Sequence, residues 1–152
     1  FNPRNGEGKL YLSTEHVNRQ FWDKLNSQVR IARDIPLAIE VKSAVSNLDF
    51  DLSELEVTEL RMDIDAGNYT VKMPSSAGAT RAYIKADIAN IEVTIPDGVA
   101  ARIRANVDLV AFEVDESRFP RQGDYYTAQD FESAANRIEL EIDCSIGNIQ
   151  IK

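Results

Sequence analysis

From residue 39 to the end of the chain, apolar side chains fall on alternate positions, and in each of five stretches the alternation slips by one residue at a dipeptide. In the first stretch Ile39, Val41, Ser43 and Val45 precede Ser46-Asn47, and Leu48, Phe50 and Leu52 follow. The second has Leu60, Met62, Ile64 and Ala66 before Gly67-Asn68 and Tyr69, Val71 and Met73 after it. In the third, Ala82, Ile84, Ala86 and Ile88 lead to Ala89-Asn90 and then Ile91, Val93 and Ile95. The fourth runs Ala101, Ile103, Ala105, Val107, then Asp108-Leu109, then Val110, Phe112 and Val114; the fifth runs Leu140, Ile142, Cys144, Ile146, then Gly147-Asn148, then Ile149 and Ile151.

A period of two predicts strands with one buried face. A one-residue slip in a flat strand would turn every later apolar side chain to solvent, so the chain must bend or bulge at the dipeptide to keep one interior. Asn and Gly suit such a corner because both accept turn dihedrals at low cost. Asn47, Asn68 and Asn90 are 21 and 22 residues apart, a period that belongs to stacked repeats. The pattern predicts an all-β, stacked-rung, β-solenoid-like sheet, with the fifth copy as its last rung and an unpaired C-terminal edge. In the third rung Ile84, Ile88, Ile91, Val93 and Ile95 are expected in the core, and Lys85, Asp87, Glu92 and Thr94 outside.

Turn residues separate the rungs: Ser53-Glu54, Pro74-Ser75-Ser76-Ala77-Gly78 and Pro96-Asp97-Gly98. Residues 115–137, with Pro120, Gln122-Gly123-Asp124 and four aromatics, are expected to form an insertion laid against the stack. Ahead of the repeats the period changes to about four. Ser13 or Thr14 can cap, and Val17, Phe21, Leu25 and Val29 make one apolar stripe that Trp22 widens, which predicts a short amphipathic helix over 13–29. The division is therefore an N-terminal extension, 1–36, and a β-repeat domain, 37–152.

Composition narrows the partners. Seventeen basic residues against 25 acidic ones give a formal net charge of -8, which repels nucleic-acid phosphates and anionic lipid surfaces. No run of about 18 apolar residues is present to span a bilayer. A single cysteine excludes an internal disulfide and a CxxC metal site. The chain starts at Phe1, so it is read as a processed or truncated product whose upstream segment carries any anchor.

No catalytic, cofactor-binding or metal-ligating residue is assigned. Asp49 and Asp51, Asp63 and Asp65, and Glu139, Glu141 and Asp143 alternate with apolar residues, and without a D-x-D-x-D-G loop they are expected to be the polar outer face of strands. His16 has no second histidine or cysteine nearby and is expected to be a solvated surface residue. Cys144 aligns with Ser43, Ile64, Ala86 and Ala105 in an inward column and is expected to be buried and inert. Arg81, Lys85, Arg102 and Arg104 occupy outward positions and are expected to pair with neighbouring acids. Phe119, Tyr125, Tyr126 and Phe131 are expected to pin the insertion to the core, with a peptide- or glycan-binding patch as the alternative.

Several motifs carry a family resemblance: Leu48-Asp49-Phe50-Asp51-Leu52-Ser53-Glu54-Leu55, Ile64-Asp65-Ala66-Gly67-Asn68-Tyr69-Thr70-Val71, Ile95-Pro96-Asp97-Gly98-Val99, and Ala134-Ala135-Asn136-Arg137-Ile138 leading into Ile142-Asp143-Cys144-Ser145-Ile146-Gly147-Asn148-Ile149. On these the stretch from Ile39 to Lys152 resembles the toast-rack domain of LiaF-type proteins, the cell-wall-active antibiotic response family of bacterial envelope-stress systems. The family pattern often has Gly at the corner, where this chain has Ser46, Ala89 and Asp108. The resemblance implies membrane helices ahead of the domain, a protein partner and no enzymatic activity. The expectation is a non-enzymatic interaction or sensory module, membrane-associated through upstream segments and weakly self-associating at its C-terminal edge. The alternatives are a solenoid enzyme acting on cell-wall polysaccharide and an adhesin-like surface repeat.

Overall fold

The computed structural model describes Ile31 and residues 35–152; the helix expected at 13–29, His16 included, lies outside the described residues. Among the described residues seven strands form one sheet: β1 (Leu37–Asp51), β2 (Val57–Lys72), β3 (Ala79–Thr94), β4 (Ala100–Val114), β5 (Arg121–Gln122), β6 (Tyr125–Thr127) and β7 (Arg137–Ile151). Their order is β1-β2-β3-β7-β4-β6-β5. The five long strands are parallel, and the β5–β6 hairpin adds antiparallel to the start of β4 through Arg102 and Ile103.

Neighbouring parallel strands ordinarily need a crossover of a dozen or more residues, because one strand ends far from where the next begins. Here residues 52–56 and 73–78 suffice. They do so because each strand doubles back on itself. Inward positions before and after the slip, such as Met62 and Val71 on β2 or Ile84 and Val93 on β3, belong to one buried cluster. The sheet is therefore creased along a line crossing all five strands, and its two arms pack face to face with the core between them.

On β1, β3 and β7 the crease lies two residues earlier than the alternation predicted, and on β4 it falls where expected, at Asp108-Leu109. The pairs that point outward together are Ala44-Val45 on β1, Asp87-Ile88 on β3, Ser145-Ile146 on β7 and Asp108-Leu109 on β4. Val45, Ile88 and Ile146, expected in the core, are exposed, and the chain turns inward again at Ser46, Ala89 and Gly147. The physical reason is crowding. On the concave side of the crease the two arms converge, which leaves room only for small side chains. At Gly67 and Gly147 even a methyl group would collide, with the Ser46 and Ala89 carbonyl oxygens respectively, and both glycines hold positive φ, +144° and +146°. The Tyr69 ring fills the crease beside Gly67, its hydroxyl donating to the Ala66 carbonyl at 2.9 Å. On the outer side, Asn68 donates to Asn47 at 2.7 Å and Asn90 to Asn68 at 2.9 Å, a side-chain ladder running across β1, β2 and β3.

The second correction concerns the C-terminus. The last strand is not the end of the stack: β7 enters between β3 and β4 and is paired along its length on both sides. No unpaired C-terminal edge exists to drive self-association. The connection from β3 to β4, residues 95–99, leaves one strand's width, and the excursion after β4 returns the chain to fill it. Arg118 ties that excursion down by donating to the Ile95 and Pro96 carbonyls at 2.9 and 3.0 Å.

Candidate recognition site

On the first arm, outward side chains of adjacent strands stand in two register rows. One runs Glu59, Arg81, Glu139, Arg102; the next runs Arg61, Tyr83, Glu141, Arg104. Parallel pairing in register brings unlike charges side by side, which is the sheet's means of stabilising its exposed face. Arg81 and Arg102 lie 3.6 and 3.7 Å from Glu139, and Arg104 lies 3.6 Å from Glu141. Arg102 also pairs with Glu132 of the excursion and stacks 4.2 Å over Phe131. Arg61 has no carboxylate partner among the described residues and stacks 5.5 Å from the Tyr83 ring centre.

The β5–β6 hairpin turns this face into a trough. Gln122, Tyr125 and Thr127 form a wall at the β4 side, and Arg104 reaches the Tyr125 ring at 6.0 Å. The trough encloses about 680 Å³, within the size range of ligand sites. Phe119 and Phe131 are buried, and Tyr126 packs its ring 5.5 Å from Phe112, so these three pin the excursion to the core. Tyr125 alone of the four aromatics faces the trough. The outward arginines pair with acids as expected, but Lys85 is in no ion pair among the described residues, and Arg61, Tyr83 and Glu59 escaped notice in the sequence. A signal was there: Glu40, Arg61, Tyr83, Glu141 and Arg104 each stand seven positions before a crease residue, namely Asn47, Asn68, Asn90, Asn148 and Ala111.

The other candidates lie apart from the trough. Cys144 is buried, and burial pushes its thiol above the ordinary value of 9.0. Its column contains Ser43, Ile64 and Ala86 as expected, but its β4 neighbour is Val107, not Ala105. Asp51 is exposed at the end of β1, where the Ser53 hydroxyl and backbone N–H hold its carboxyl below the usual range. Asp115, just after β4, is held down in the same way by the Ser117 hydroxyl. Among the described residues no group of three or more His, Cys, Asp or Glu is arranged to hold a metal ion.

Compared with known families, residues 1–94 match the model for the N-terminal domain of toast_rack, DUF2154. The chain belongs to the toast-rack family. Its toast-rack fold is shared with the crystal structure of a candidate cell adhesion protein from Clostridium sporogenes, at 21% identity and a TM-score of 0.69 over 79% of this chain. This chain spans 57% of that protein's length. No curated protein matches the toast-rack chain. The family match runs across residue 36, where the sequence reading divides the chain.

Proposed function

We propose that this toast-rack domain is a non-enzymatic recognition module of a bacterial envelope-stress or membrane-associated regulatory protein, and that the trough is where a protein partner is held. The supporting observation is the fixed alternation of guanidinium and carboxylate groups along its floor. Arg102, half-buried between Glu132, Glu139 and the Phe131 ring, loses little side-chain freedom when a partner adds hydrogen bonds, and Arg81 and Arg104 stand exposed beside it for the partner to engage. Hydrolysis or transfer would instead need an accessible nucleophile or a free acid and base. The one thiol is buried, and Glu139 and Glu141 are both engaged by arginines, which leaves Glu59 as a single carboxylate on the floor without a second free acid beside it.

The test uses the full-length protein in its own bacterium, with Arg81→Glu and Arg104→Glu combined. Both side chains are exposed, so the variant should accumulate and fold like the parent. The transcriptional response to a cell-wall antibiotic is expected to fall at least about tenfold, the effect of losing roughly 1.4 kcal/mol of binding. An undiminished response in a variant of normal abundance would remove the trough from signalling. Adhesion to surfaces is measured in the same strains, because the Clostridium sporogenes neighbour is described in those terms. A defect confined to adhesion would favour the surface-repeat reading.

A further inference from the structure

The outer side of the crease carries a second surface, independent of the trough. Val45 pairs with Ala66, Ala66 with Ile88, Ile88 with Ile146, and Ile146 with Leu109, so five successive strands place an apolar residue at one register position. Val45 is 81% exposed, Leu109 76%, Ile88 57% and Ile146 45%. A scattered exposed aliphatic is ordinary on any protein. An in-register row is different, because the core lies on the opposite side of the sheet and folding gains nothing from apolar side chains here. With strands about 4.8 Å apart, the row extends about 19 Å across the molecule.

Its two flanks differ. Immediately before Ala66, Ile88 and Leu109 stand Asp65, Asp87 and Asp108, all exposed and none in an ion pair among the described residues. Beyond the crease stand Asn47, Asn68, Asn90 and Asn148, neutral amides of which the first three are linked in the ladder. An apolar line with acid on one side and amide on the other matches an amphipathic helix with a cationic edge. A helix rises about 5.4 Å per turn, close to the strand spacing, so about 14 residues would set one apolar side chain against each strand in turn.

We propose that the crease row is a docking surface for a basic amphipathic helix of a partner protein. Aspartates beside the row, in no ion pair among the described residues, oppose insertion into anionic lipid, and a net charge of -8 opposes close packing of two copies through this face. A lysine- or arginine-edged helix is attracted by the same charges.

The probe is a fourteen-residue Leu/Lys helical peptide with its leucines on one face, compared with a scrambled peptide of identical composition that has no apolar face. Fluorescence anisotropy with the 152-residue chain should show the amphipathic peptide bound at least about tenfold more tightly than the scrambled one. The variant combining Val45→Ser, Ile88→Ser and Leu109→Ser should lose that preference, and the variant combining Asp65→Asn, Asp87→Asn and Asp108→Asn should bind about tenfold more weakly. Should the triple serine variant fail to fold, Leu109→Ser alone serves, since that residue is mostly exposed on β4 and its loss should still weaken binding about threefold. Equal affinity for the two peptides would reduce the effect to bulk charge and overturn the proposal. So would an unimpaired serine variant. Association with vesicles of anionic phospholipid, or self-association in sedimentation, that depends on the row while peptide binding does not would reassign the surface to lipid or to a second copy.

Discussion

At Gly67 an added methyl group would lie 1.8 Å from the Ser46 carbonyl oxygen, and at Gly147 one would lie 1.9 Å from that of Ala89. Neither contact can be relieved by a side-chain rotation, because the colliding atom is backbone in the next strand. Gly67→Ala is therefore expected to lower the unfolding free energy by about 2–4 kcal/mol in urea titration, combining backbone strain with overpacking. Gly98→Ala, at φ +77° but with open space around it, should cost only about 1 kcal/mol. Equal losses at the two positions would show that the crease is not crowded. For Cys144 burial favours the neutral thiol in the folded state, so its contribution to stability is complete below about pH 9 and is lost as pH rises through the raised folded value. Cys144→Ser should flatten the decline of stability above pH 9, and disulfide-reagent labelling of the native thiol should proceed only as fast as the protein opens. Both glycines and the inward cysteine were legible from the repeat. The Val107 neighbour was not, because β4 has Val110-Ala111 where other rungs carry a Gly or Asn to mark the register.

Each long strand is two half-strands joined at the crease, and the alternation states which residues face inward everywhere except at the join. There an apolar residue and a small residue are adjacent, as in Val45-Ser46, Ile88-Ala89 and Ile146-Gly147, and hydrophobicity alone assigns the larger to the core. Convergence of the arms decides the opposite way. Ile84→Asp, in the middle of the first arm and fully buried, is expected to abolish cooperative thermal unfolding, since an unpaired charge in the core costs more than about 4 kcal/mol. Ile88→Asp should melt within a few degrees of the parent. If circular dichroism shows Ile88→Asp unfolded as well, the crease has been placed wrongly. The trough was less legible than the strands. Its floor follows from the outward alternation, but its wall depends on β5 and β6, strands of two and three residues that are too short to leave a periodic signal. Only the aromatics and turn residues of the excursion hinted at them.

Across the molecule, the order of strands in space is what brings the two surfaces together. With β7 between β3 and β4, Glu139 stands between Arg81 and Arg102, and Ile146 joins Ile88 to Leu109 in one line. Stacking in chain order would separate both sets. Repeat periodicity could not reveal this, because each rung offers the same edge to any other, and only the reach of the excursion allows β7 to enter the gap. Arg118 and Asn136 hold the two ends of that return path, the Asn136 side chain accepting from the Gly78 backbone N–H at 3.1 Å. The most direct test is one substitution, Ala86→Cys, read with the native Cys144. The two residues are register partners on β3 and β7 with both side chains inward, at the spacing of adjacent strands, about 4.8 Å, which a disulfide accepts. After refolding under oxidising conditions, the intact mass is expected to show loss of two hydrogens and non-reducing electrophoresis a compact monomer. Two free thiols in a folded protein would contradict the central placement of the last strand, and with it the trough and the crease row.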